Sequence, residues 1–243
     1  MTPRSLALCL GGAVSAAAVG MAIIGGVTAS PGKAMAADRD HPVVVELFQS
    51  QGCSSCPPAN ANVLAIADRP EILALSWQVT YWDQLGWKDT FGSPAFTSRQ
   101  WDYARAFHRG EVATPEVVVN GRADVVGVRR DELEALIRRE DRGATGPQVT
   151  ISDQRVQVGA SNGRGEVLLV RYDPNIIQVP IQRGENGGLT LPHRNVVREV
   201  VRLGDWSGAA QTYTLPAPSR AGLKTAVLVQ DGVGGPILAA GRG

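Results

Sequence analysis

The apolar positions change their spacing along the chain, and each spacing predicts an element. Residues 43–48, VVVELF, are apolar except at Glu46, the pattern of a strand buried on both faces. Residues 59–68 set Val63, Leu64 and Ala67 on one helical stripe. The run EILALSWQV, residues 71–79, predicts a second strand. A helix is predicted over residues 98–107. A hairpin follows over residues 117–119 and 123–126, because the Asn120-Gly121 pair favours a tight primed turn. Residues 131–139 place Leu133, Leu136 and Ile137 on one face of a third helix. Strand, helix, strand, helix, hairpin, helix is an α/β order.

RGATGPQ, residues 142–148, is a Gly/Pro break, and beyond it the helical stripe disappears. Short alternating runs separated by turn residues take over, such as QVTISDQRVQVGA, GEVLLVRYDP and LKTAVLVQDG. RNVVREVVRLGDW carries charge spacing that would also fit a helix; it is read as a strand. The expected architecture is an α/β domain over residues 41–141 followed by an all-β, sandwich-like domain over residues 148–243.

The leading residues change the compartment. Arg4 supplies a positive start, residues 6–27 hold no charge, and Ala34-Met35-Ala36 offers a small-x-small cleavage pattern, so residues 1–36 read as a signal peptide. An uncleaved membrane anchor is the alternative, since about 20 apolar residues cross a bilayer. A periplasmic or secreted protein is expected, without membrane attachment once the leader is removed. Cys9 lies in this leader, which leaves Cys53 and Cys56 in an oxidising compartment where a disulfide is stable. Removing Arg4 and Lys33 takes 24 basic residues to 22 against 23 acidic ones, so no clustered basic excess points to nucleic acid.

SQGCSSCPPAN, residues 50–60, puts those cysteines between a strand and a helix. The spacing places Cys53 at the first helical turn, where unpaired N–H groups and the helix dipole favour a thiolate. Cys53 is expected to be the more exposed sulfur and the nucleophile, and Cys56 the resolving thiol. Ser54 and Ser55 can hydrogen-bond a thiolate, and Pro57 and Pro58 suit early helical positions. An inert structural disulfide is a weaker reading, because so small a loop removes little entropy from the unfolded chain. A metal pair is weaker still. His41, His108 and His193 show no ligand spacing with the cysteines, although two thiolates suit copper(I).

VELFQSQGCSSCPPAN, YWDQLGWKDTFGSPAFTSRQ, TPEVVVNG and RGENGGLTLPHRNVV resemble the secreted DUF1223 family, of unknown function. The resemblance spans nearly all of the chain after the leader and implies a thioredoxin-like fold for the first part. In a thioredoxin-like sheet a cis-proline loop faces the dithiol, which singles out Pro115 in Thr114-Pro115 as the substrate-loop residue. Glu46 is a candidate proton relay to Cys56, with a salt-bridged glutamate as the alternative. Gly52 before the first cysteine and Ser54-Ser55 between the sulfurs depart from thioredoxin itself. The expected chemistry is thiol–disulfide exchange with exported protein thiols and disulfides, through Cys53, Cys56, Pro115 and Glu46, without an organic cofactor. A copper(I) carrier and a non-catalytic scaffold are the competing classes.

Two further segments stand out. Nine of the thirteen aromatic residues fall between Trp77 and Phe107, which reads as core first and as a partner surface second. RGENGG with HRN gathers Arg183, Glu185, Asn186, His193 and Asn195, and reads as a turn without assigned chemistry.

Overall fold

The computed structural model describes residues 36–243. The expected leader, apart from Ala36, lies outside the described residues. Among the described residues no helix is long and apolar enough to cross a membrane.

The first half follows the predicted order closely. Strand β1, Val43–Gln49, and strand β2, Ile72–Gln78, are buried along their whole length and pair in parallel, Val43 opposite Ile72. Helix α1, Cys56–Ile66, makes the crossover between them. Helix α2, Pro94–Ala106, starts where the Ser93 hydroxyl accepts the Ala95 N–H at 3.3 Å and Pro94 occupies the first turn. Strands β3, Glu116–Val119, and β4, Ala123–Val125, form the expected hairpin, and helix α3 covers Arg130–Arg139. Asn120 and Gly121 both have positive φ, 48° and 62°, as the primed turn requires. A side chain on Gly121 would also sit 2.4 Å from the Gly235 carbonyl oxygen, so only glycine fits there.

The pleat of β1 sorts the core into two layers. Val43, Val45 and Leu47 pack with Ala59, Val63 and Ile66 of α1 and with Leu133, Leu136 and Ile137 of α3. Val44 and Phe48 point the other way, into a cluster with Trp77, Phe96 and Tyr103. Most of the aromatic segment is therefore core, as expected.

Residues beyond 148 form strands β5 Val149–Ser152, β6 Arg155–Val158, β7 Gly165–Asp173, β8 Ile177–Pro180, β9 Thr190–His193, β10 Val196–Trp206, β11 Gln211–Thr214, β12 Lys224–Gln230 and β13 Ile237–Arg242. Both halves contribute to one mixed sheet of eight strands, ordered β13-β12-β7-β10-β2-β1-β3-β4. The seam is β10 beside β2, with Val196 opposite Ser76 and the Ser76 N–H donating to the Asn195 carbonyl at 3.0 Å. The Gly/Pro break at 142–148 is thus a loop between two parts of a shared sheet. A three-stranded sheet, β11-β6-β5, covers a third cluster that includes Val156, Val158, Trp206 and Tyr213. Strands β8 and β9 pair only with each other. The molecule is mixed α/β, dominated by the large sheet.

Candidate functional site

The two cysteines occupy the turn that carries β1 into α1. They form a disulfide with Cα atoms 5.4 Å apart. Helix α1 begins at Cys56, so Cys53 stands in the turn ahead of the helix and not within its first turn. The expected difference in access is also absent: Cys53 is 0% exposed and Cys56 1%. The exposed residues of this turn are Ser54 and Ser55.

Three segments meet at the cysteine turn. The first is the loop before β3, where the Thr114–Pro115 bond is cis. Cys53 Sγ lies 3.7 Å from the Thr114 carbonyl oxygen and 3.3 Å from Ser55 Oγ, and Ser55 Oγ is 3.4 Å from the same carbonyl. The structure therefore brings Cys53, Cys56 and Pro115 together.

The second is the aromatic loop between β2 and α2. Trp82 Nε1 donates to Thr114 Oγ1 at 2.8 Å, tying this loop to the cis-proline segment. Gln51 is fully buried, and its side-chain oxygen accepts from Trp87 Nε1 at 2.9 Å and from the Thr90 N–H at 3.2 Å. Asp89 accepts the Gln51 N–H at 2.7 Å and the Phe91 N–H at 2.8 Å. Burial pushes the Asp89 carboxyl up to about 6, against the pull of those backbone donors. The polar residues of YWDQLGWKD fix the approach to the first cysteine.

The third comes from the second half, at the tip of the β8–β9 hairpin. The Glu185 carboxylate accepts the Ser54 N–H at 3.0 Å and the Ser54 hydroxyl at 2.6 Å. Asn186 Nδ2 donates to the carbonyls of Gln51 and Cys53, each at 2.9 Å. The base of the hairpin is tied to α1, where Asn60 Nδ2 donates to the Pro192 carbonyl at 2.7 Å. Glu185 and Asn186 were read from the sequence as an ordinary turn. Only pairing across 131 residues gives them this place.

Glu46 belongs to a different site. Its side chain lies with those of Val44 and Phe48 on the α2 face, whereas α1 packs against the opposite face of β1. Arg99 donates to both carboxylate oxygens, Nε at 2.7 Å and Nη2 at 3.0 Å, and the Tyr103 hydroxyl donates as well. Glu46 is 0% exposed and salt-bridged, so the relay to Cys56 is corrected in favour of the ion pair. Burial alone would depress the Arg99 guanidinium, but the Glu46 charge raises it above its ordinary value.

Two other buried groups lie close by in the fold. Glu116 follows Pro115 directly, accepts from Gln100 Nε2 at 2.7 Å, and is pushed up to about 7 by burial. His193 ends β9 with its ring edge-on to Phe91, and burial, reinforced by the Arg198 charge, lowers it to about 4. Among the described residues no group of three or more His, Cys, Asp or Glu is arranged to hold a metal ion.

Residues 44–230 match the model of a family described as "Protein of unknown function (DUF1223)". The crystal structure of a structural-genomics target from Agrobacterium tumefaciens is similar at 32% identity and a TM-score of 0.70, covering 86% of this chain and 95% of that one. HBP35 of Porphyromonas gingivalis aligns at 12% identity and a TM-score of 0.58, over 86% of this chain and 76% of that one, which is a likeness of fold alone. No curated protein matches the chain.

Proposed function

From the premise that the chain belongs to the DUF1223 family, whose description names no reaction, we propose that it is an exported thiol–disulfide exchange protein with a thioredoxin-like first half. The observation that carries this reading is the approach of Cys53 Sγ to within 3.7 Å of the carbonyl of Thr114, the residue joined to Pro115 by a cis bond. A CxxC pair ahead of a helix, with a proline loop against its first sulfur, suits attack by or on a polypeptide thiol. In the oxidised form a partner thiolate attacks Cys53 Sγ, the S–S bond breaks, and the electron pair leaves on Cys56 Sγ, which takes up a proton. A second partner thiolate then displaces Cys53. The partner loses two electrons and two protons, and the Cys53–Cys56 pair gains them.

One observation favours a second reading, a scaffold with a structural disulfide: both sulfurs are buried. A single experiment separates the two. A Cys56→Ser variant expressed in its native compartment should accumulate specific mixed disulfides through Cys53. Failure to capture any partner, together with a pair that stays oxidised in a strongly reducing thiol buffer, would establish the scaffold. Stoichiometric copper(I) binding by the reduced protein, lost in Cys53→Ser, would instead indicate a carrier.

A further inference from the structure

The cysteine turn is fastened to a hairpin that, among the described residues, belongs to no larger sheet. Strands β8 and β9 pair only with each other, Ile177 opposite His193 through Pro180 opposite Thr190. A two-stranded ribbon of this length has little stability of its own. The connecting residues 181–189 are exposed except at Ile181 and Asn186. Gly184 and Gly188 have positive φ, 78° and 86°, and the turn is closed by Gly188 N–H to the Ile181 carbonyl at 2.8 Å. The tip thus carries few apolar contacts, and it is fastened to the cysteine turn chiefly by the side chains of Glu185 and Asn186. Such a segment is one that opens locally without global unfolding.

Those two residues sit where an incoming chain would have to dock. Glu185 takes both donors of Ser54, and Asn186 takes the carbonyls that flank Gly52. A partner that docks on the backbone of this turn would displace the tip and replace its hydrogen bonds. We propose that the β8–β9 hairpin is a substrate-selecting cover, with Glu185 and Asn186 as specificity-determining residues that admit polypeptide thiols and shut out small ones.

The inference rests on the exchange reading and names its substrate class. A polypeptide presents backbone N–H and C=O groups beside its cysteine and can take over the contacts with Ser54, Gln51 and Cys53. A small thiol without amide groups, such as 2-mercaptoethanol, has too few groups to offset the lost ones. The two Ser54 donors also hold the Glu185 carboxyl below its usual range, so the latch is charged at neutral pH.

The test follows the rate at which the oxidised full-length protein accepts electrons from two probes, 2-mercaptoethanol and reduced, unfolded ribonuclease A. The wild type should react per thiol at least about tenfold faster with the polypeptide. Glu185→Ala with Asn186→Ala should raise the 2-mercaptoethanol rate about tenfold and cut the advantage of the polypeptide to about twofold or less. Glu185→Gln, which keeps an acceptor oxygen, should lie between them, and circular dichroism should show all three folded alike. Hydrogen exchange at the Ser54 N–H, faster in Glu185→Gln than in wild type, supplies a readout that does not depend on the sulfurs. If 2-mercaptoethanol reacts equally fast with wild type and the double variant, the cover is overturned while exchange stands. If neither probe reduces either protein, exchange and the cover fall together.

Discussion

Two carboxylates, Glu46 and Glu185, each accept hydrogen bonds inside this fold, and they do opposite work. Glu46 is sealed between β1 and α2 with a two-pronged Arg99 and the Tyr103 hydroxyl. The charges were desolvated on folding, so neither partner can leave without stranding the other. Glu185 stands in solvent at a hairpin tip and holds Ser54 by hydrogen bonds that water can replace. The difference between a lock and a latch is the cost of exposing the partner. That cost is large under a sheet and small at its rim.

The largest effect that would test this contrast is loss of one member of the buried pair. Arg99→Ala or Glu46→Ala should lower unfolding free energy by about 3–5 kcal/mol in urea titration, because an uncompensated charge remains. A cost below about 1 kcal/mol would place Glu46 in the replaceable class.

The next effect is a pH dependence at His193. The unfolded ring binds a proton below about 6.5 and the folded ring only below about 4, so the stability is present above 6.5 and lost as pH falls to 4. The loss should be about 3 kcal/mol across that window. Asp89, raised to about 6, and Glu116, raised to about 7, work in the opposite sense, losing stability as pH rises through overlapping ranges. The His193 contribution is therefore read as wild type minus His193→Phe, and parallel stability curves for the two would refute it.

Asn186→Ala follows, removing two 2.9 Å hydrogen bonds to carbonyls at a residue only 2% exposed. It should cost about 1–2 kcal/mol by thermal unfolding. The smallest effect belongs to Glu185→Ala, which should leave the unfolding midpoint unchanged while speeding exchange of the Ser54 N–H. A shifted midpoint would make Glu185 part of the structural frame.

The first half was legible because its signals are local. Asn120-Gly121 specifies its turn by backbone conformation, and Leu133, Leu136 and Ile137 mark the face of α3 by spacing alone. Strand β10 was ambiguous for a physical reason: register shifts between Val197 and Glu199 and between Arg202 and Gly204 break its two-residue alternation. The cysteine turn and Pro115 were found from residue type and order. The bracing of that turn was not, because Trp82, Glu185 and Asn186 arrive from elsewhere in the chain. Glu46 was placed on the right strand, yet its role depended on which face met α1, a fact carried by the sheet.

The hairpin fastened to the cysteine turn also fixes an order of events. Ser54 and Glu185 are 131 residues apart, whereas Thr114 follows Cys53 by only 61, so during synthesis the proline loop can reach the cysteine turn well before the hairpin tip exists. Of the three segments that meet at that turn, the one carrying Glu185 and Asn186 is the last to arrive.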